Sequence, residues 1–411
     1  MKTRLFLFVV LCSAIAHAQT YNESILYNFG SSSTDGLNPQ GGLVMDKAGN
    51  LYGTTVSGGD ANCVGVLANG CGTVFKLDPA GNETILHSFT GGTDGENPVV
   101  SLIMDKFGNL YGATVNGGLH GNQGGTIFRI SPSGKYSVLH RFSGAPNDGQ
   151  NPWGSLTIDA GGNLYGTTFL GGNSVAAPCQ PARGPRGCGT VFKITPTGQE
   201  TVLYNFNGSA DGGLPMGNVQ PDSHGNLYGT TSGFGANNYG VLFKLTPSGT
   251  ESVLYNFCSA ISCADGAIPG FITRDSLGNI FGYADPTGSA ANFGFPGVAF
   301  EYSSGGTESA LYTFCSGFQC SNPSKPSGQL LSLAGNFYGT SYQGGAADLG
   351  TVYELTPTGT ATILYSFDFN TRLDGYEPLS GVIADAAGNL YGTTYFGGST
   401  GGGTVFKLTR N

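Results

Sequence analysis

Short runs that alternate apolar and polar residues recur along the chain, separated by turn-forming residues. Around residue 100 they read TILHSF at 84–89, VSLIMD at 100–105, NLYGAT at 109–114 and TIFRI at 126–130. Ile85, His87 and Phe89 fall on one side and Leu86 and Ser88 on the other. That is the period of a strand, not of a helix. The four-run unit returns roughly every 55 residues, a spacing that points to repeated sheets.

The repeats are close copies. DKAGNLYGTT at 46–55 returns as DKFGNLYGAT, DAGGNLYGTT, DSHGNLYGTT, DSLGNIFGYA, SLAGNFYGTS and DAAGNLYGTT. We name the four strands of a unit A (LxxD), B (NLYG), C (GTVFKL) and D (ILYNF). The last unit supplies A, B and C, from Val382, Asn389 and Thr404 onward, whereas a lone D, SILYNF at 24–29, comes first. Seven A strands and seven D strands pair only if that first D completes the last unit, which leaves no open sheet ends to cap. The predicted fold is therefore all-β: a single seven-bladed β-propeller of four-stranded blades, closed by pairing the N-terminal strand with the C-terminal three strands.

Repeats of the form DxxGNLYGTT…GTVFKLxPxG resemble the GloVer-type tandem repeat of exported bacterial proteins, often called choice-of-anchor proteins. More distantly they are similar to NHL-type propellers. The resemblance spans nearly all of the chain after its first residues. It implies an exported propeller and brings no catalytic residues with it. The end of the sequence, GTVFKLTRN, carries no sorting anchor of the kind those relatives vary.

The first residues read as a targeting signal. Lys2 and Arg4 precede the apolar LFLFVVLCSAIA, and Ala16-His17-Ala18 offers a cleavage site. The expected organisation is a signal peptide at 1–18 and the propeller at 19–411. The apolar run is too short to span a membrane, and Leu11 before Cys12 argues against lipid attachment. A secreted or periplasmic protein, without membrane insertion and monomeric, is expected. Only 10% of residues are charged, and the net charge is −9; loss of Lys2 and Arg4 takes it to about −11. Nucleic acid is excluded as a partner, because its binding needs Lys and Arg to displace counterions.

The most repeated residues read as structural. Asp46, Asp105, Asp159, Asp222, Asp275 and Asp385 open the A–B turn, with Ser332 in the sixth copy. A second element, DGxxP, joins D to the next A. Its aspartates are Asp35, Asp94, Asp148, Asp211, Asp265 and Asp374, with Asn322-Pro323 in the remaining copy. Turn chemistry explains them. A ring of carboxylates at the channel mouth, able to attract a cation such as Ca²⁺, is the weaker alternative. No cofactor and no dedicated metal site are expected.

Uniform A–B and C–D turns share one face, and long B–C and D–A loops, different in every copy, share the other. Recognition belongs on the varied face. Eight cysteines fall there as four local pairs, Cys63 with Cys71, Cys179 with Cys188, Cys258 with Cys263, and Cys315 with Cys320. In an exported chain these read as disulfides, not zinc ligands. His87 and His140 occupy the strand D position of Tyr27, Tyr204, Tyr255, Tyr312 and Tyr365, and so read as packing residues. Candidate ligand-binding residues on the loop face are Trp153, His120, Tyr239, Tyr342, Tyr376 and Tyr395, with Phe396 beside them. Aromatic platforms among Asn, Asp and Gln suit a sugar ring or a protein partner. The expected function is non-catalytic binding of a glycan or extracellular protein. One alternative is a carbohydrate-active hydrolase or lyase using Asp60, Asp285, Asp348 or Glu377; the other is a structural adhesin or envelope scaffold. No catalytic residue is assigned.

Overall fold

The computed structural model describes residues 21–60, 62–63, 69–119, 123–173, 179, 187–284, 297–315, 320–368 and 374–410. The expected signal peptide at 1–18 lies outside these residues. Seven antiparallel sheets follow one another, each ordered A-B-C-D from the centre outward. Blade 1 uses Val44–Met45, Leu51–Thr55, Thr73–Leu77 and Glu83–Ser88. Blade 2 uses Ile103–Met104, Leu110–Thr114, Thr126–Ile130 and Tyr136–Arg141. Blade 3 uses Thr157–Ile158, Leu164–Thr168, Thr190–Ile194 and Glu200–Asn205. Blade 4 uses Gln220–Pro221, Leu227–Thr230, Val241–Leu245 and Glu251–Asn256. Blade 5 uses Pro269–Arg274, Ile280–Ala284, Val298–Tyr302 and Glu308–Thr313. Blade 6 uses Pro323–Leu333, Asn336–Gly344, Thr351–Leu355 and Ala361–Ser366.

Blade 7 joins Ile383–Ala384, Leu390–Thr394 and Thr404–Arg410 to Tyr21–Asn28. The register runs from Tyr21 opposite Arg410 to Asn28 opposite Thr404. The ring is closed as the strand count requires. Among the described residues no helix is long and apolar enough to cross a membrane.

Each letter of the repeat has a physical task. In blade 1, Asp46 Oδ1 accepts the backbone N–H groups of Ala48 and Asn50, while Oδ2 accepts the Asn50 amide and the Tyr52 hydroxyl. Gly49, at φ 84°, supplies the left-handed residue this turn needs. These bonds hold Asp46 below the ordinary carboxylate range, although its partial burial pushes the other way. Gly53 lies under the strand C ring: a Cβ there would sit 2.6 Å from Phe75 Cζ. The two threonines that follow bond in different directions. Thr54 donates to the Val100 carbonyl of blade 2, and Thr55 meets Thr73 of its own blade at 2.8 Å. The between-blade bond recurs from Thr167, Thr230, Thr340 and Thr393 to Gly217, Gly270, Ser380 and Gly41.

The core is a chain of aromatic pairs between blades. Phe29 at the end of strand D packs edge-on against Phe75 of the next blade, with ring centres 4.9 Å apart. Phe89–Phe128, Phe142–Phe192, Phe206–Phe243, Phe257–Phe300, Phe314–Tyr353 and Phe367–Phe406 repeat it around the ring. All are fully buried. Each contact adds about 0.5–1.5 kcal/mol beyond the burial of its area.

Candidate ligand-binding site

The loops from strand D to the next strand A build the varied face. Six of the seven carry an aspartate that folds the loop on itself. Asp35 is 3% exposed, and its Oδ2 accepts from the N–H groups of Gly30 and Ser31, the Ser31 hydroxyl and the Tyr27 phenol. Asp211 and Asp265 repeat this with Tyr204 and Tyr255, and Asp374 with Tyr365. Asp94 and Asp148 use His87 and His140 instead, at 3.1 and 3.2 Å. The two histidines thus take over the tyrosine's hydrogen bond as well as its packing. None of these six carboxylates lines the channel; they sit beside the outer strands, facing the neighbouring blade.

Three residues on, the chain turns through a left-handed residue immediately before the proline. This occurs in all seven loops, at Asn38, Asn97, Asn151, Leu214, Ile268, Lys325 and Glu377, with φ of 55–60°. Asparagine tolerates that conformation, and Asn38, Asn97 and Asn151 each add an amide bond to a backbone carbonyl. Leucine, lysine, glutamate and above all the β-branched Ile268 do not gain in this way.

After the proline, strand A begins at the axis. Residues from all seven blades there enclose a cavity of 390 Å³ at the loop-face end of the channel. Gln40, Val99, Trp153, Met216, Ser327 and Leu379 each stand directly after a DGxxP proline or its counterpart. Blade 5 contributes Ile268, Gly270, Phe271 and Tyr283, and Tyr342 comes from strand B of blade 6. Trp153, Gln40, Met216 and Tyr342 are all part-exposed. Lys325 donates to the Tyr342 hydroxyl at 3.0 Å and lies 5.1 Å from the ring centre, which fixes that ring. Among the described residues, no Asp, Glu, His, Lys or Arg lines the cavity.

Of the residues singled out from sequence, Trp153 and Tyr342 are brought together in this cavity. Tyr239, Tyr376 and Tyr395 are part-buried and do not line it. Tyr376 and Tyr395 instead pack on Phe396, at 5.5 and 4.6 Å. His120 and Asp285 fall outside the described residues. Asp60 caps the turn at Asn62, and Asp348 accepts the Gly344 N–H. Burial pushes Glu377 above the ordinary carboxylate range, and Lys325 pulls it back. The sequence reading missed Gln40, Val99, Met216, Ser327 and Leu379. Their signal was the position after the proline, which differs in every copy while its surroundings repeat.

All four disulfides are present, Cys63–Cys71, Cys179–Cys188, Cys258–Cys263 and Cys315–Cys320. They brace two B–C and two D–A loops and are consistent with an oxidising, extracytoplasmic compartment.

Two solved structures show comparable coverage at low identity. A structural-genomics target described as a candidate gluconolactonase shares 12% identity at a TM-score of 0.44, over 95% of this chain and 92% of that one. A gluconolactonase of Xanthomonas campestris shares 12% identity at 0.45, over 95% and 90%. No curated protein sequence matches. The Gloeobacter/Verrucomicrobia repeat matches over residues 15–177, 64–295 and 268–411, and the chain belongs to that repeat family.

Proposed function

We propose that this propeller is a recognition module whose central cavity holds a neutral carbohydrate unit at the end or side of a glycan. The observation that carries the reading is the uncharged, aromatic-edged cavity at the loop-face mouth of the channel. Its volume lies within the range of about 300–1,000 Å³ usual for small-ligand sites. The Trp153 face offers a surface for sugar C–H groups, and the Gln40 amide offers donors and an acceptor for hydroxyls. Hydrolysis of a glycoside needs two carboxyl groups flanking the bond, and the described lining residues include none. Binding without cleavage therefore fits the cavity better than a hydrolase or lyase.

Trp153 is the single tryptophan, so its fluorescence reports on the cavity without labelling. Titration with a panel of neutral oligosaccharides is expected to shift its emission for at least one of them. Trp153→Ala, followed by calorimetry, is expected to weaken that binding at least tenfold. If no sugar perturbs Trp153 while an extracellular protein fraction does, the cavity recognises protein and the glycan reading fails.

A further inference from the structure

The junctions between blades carry a second recurring arrangement, on the outer strands. The aspartate of six D–A loops faces a residue near the start of the next blade's strand D. That residue is glutamate at five junctions, giving Asp374 with Glu23, Asp35 with Glu83, Asp148 with Glu200, Asp211 with Glu251 and Asp265 with Glu308. The third member is the strand D tyrosine that bonds the aspartate. One junction differs: between blades 2 and 3 the third member is His140.

There, one ligand atom from each of His140, Asp148 and Glu200 lies within 4.8 Å of the others. His140 Nε2 and Asp148 Oδ2 are already 3.2 Å apart, the spacing of about 3.3 Å that two donors take on a tetrahedral ion with bonds near 2.0 Å. Asp148 is 7% exposed. Its Oδ2 also accepts from Ser143 N and Oγ, and Oδ1 accepts from Gly149 N. Glu200 Oε1 is buried without a hydrogen-bond partner, as are the same oxygens of Glu23, Glu83, Glu251 and Glu308 at the other four junctions. What sets this junction apart from the other four is the imidazole, which places a nitrogen ligand within reach of both carboxylates.

The neighbouring junction acts as an internal control. Between blades 1 and 2 the histidine and aspartate are kept, as His87 and Asp94, but the glutamate is replaced by Tyr136, whose ring stacks on His87 at 3.6 Å. A histidine merely standing in for tyrosine is satisfied there without a second carboxylate. We propose that His140, Asp148 and Glu200 form a site for a divalent transition ion, zinc foremost, which clips blade 2 to blade 3. One nitrogen and two carboxylate oxygens match that class of ion, with a fourth position left for water.

The test uses tag-free, chelator-stripped protein and the metal alone. Zn²⁺ is expected to bind at one equivalent and raise the melting temperature, and Co²⁺ to give a visible d–d band. His140→Tyr restores the Tyr-Asp-Glu set that four other junctions already use, so it is expected to fold. It and Glu200→Gln should weaken binding at least tenfold, while His87→Tyr leaves it unchanged. Sub-stoichiometric binding, or one-equivalent binding that survives His140→Tyr, overturns the assignment.

Discussion

The Tyr338 hydroxyl donates to Glu354 Oε1 at 2.8 Å, and the Asn336 amide donates to the same oxygen at 2.7 Å. In other blades these partners bond the aspartate of the A–B turn, and in blade 6 that position is Ser332. The lost carboxylate has been replaced from strand C, at the position that carries Lys76, Arg129, Lys193, Lys244 and Lys407 in blades 1 to 4 and 7 and Glu301 in blade 5. Glu354→Ala should therefore destabilise the protein by about 1–2 kcal/mol, the cost of orphaning two donors. Ser332→Asp combined with Glu354→Lys should recover most of that loss in urea unfolding. A double variant no more stable than Glu354→Ala would show that the two positions do not substitute for each other.

Glu23, Glu83, Glu200, Glu251 and Glu308 are each pushed up to about 7, chiefly by burial and then by a neighbouring aspartate. Their folded values lie above the unfolded one, so the protonated form favours folding. That contribution is complete below the ordinary value of 4.5 and is lost as pH rises through about 7. The turn aspartates Asp46, Asp105, Asp159, Asp222 and Asp385 are lowered, and their contribution disappears only as pH falls below 3.8. Thermal stability should peak near pH 4 and fall steadily from there toward about pH 7. Glu83→Gln should flatten the fall toward pH 8, and a wild-type melting temperature still rising from pH 6 to 8 would contradict this account.

Gly166 lies beneath Phe192, and a Cβ there would come within 2.6 Å of the ring. Gly166→Ala should cost about 1–3 kcal/mol through overpacking. Because the fault is one of volume, Phe192→Leu in the same chain should cost less than it does alone. Strict additivity of the two changes would place the strain elsewhere.

Ile268 lines the cavity in a left-handed conformation at φ 56°, where blades 1 to 3 use asparagine. Ile268→Asn should raise stability by about 1 kcal/mol by relieving a β-branched residue there. The same substitution should weaken ligand binding read from Trp153 fluorescence. Gains in both properties would mean that Ile268 is held for neither reason.

The disulfides span separations of 5 to 9 residues, so each should add about 2–3 kcal/mol through loop closure. Reduction should first expose the loop face to limited proteolysis while the blade strands stay protected. Mass spectrometry of the early cuts distinguishes this from general unfolding.

The blade count, the ring closure, the turn aspartates and the cysteine pairs were all readable from the repeats, because each depends on local spacing or on copy number. The cavity was readable only in part. Trp153 and Tyr342 stood out by residue type, but Gln40, Val99 and Met216 are ordinary residues whose role comes from starting strand A at the axis. The tasks of Gly53 and Thr54 were equally hidden, since their partners Phe75 and Val100 are brought to them by the strand register and by the next blade. The aspartates of DGxxP were expected at the channel mouth as one option; their bonds to the strand D tyrosines and histidines hold them on the outer strands.

The seam of the ring has a kinetic side. Tyr21–Asn28 is made well before its partner Thr404–Arg410, and the Ser24 hydroxyl reaches the Lys407 carbonyl across 383 residues. Meanwhile the waiting strand meets decoys: TVFKL at 73–77 is identical to TVFKL at 404–408. Sequence cannot tell the true partner from the false one. Timing can, because each earlier copy is claimed within moments by its own outer strand only a short turn away, and hairpins close far faster than distant segments meet. The copy at 404–408 has no such neighbour within the described residues, and so it remains vacant for Tyr21–Asn28.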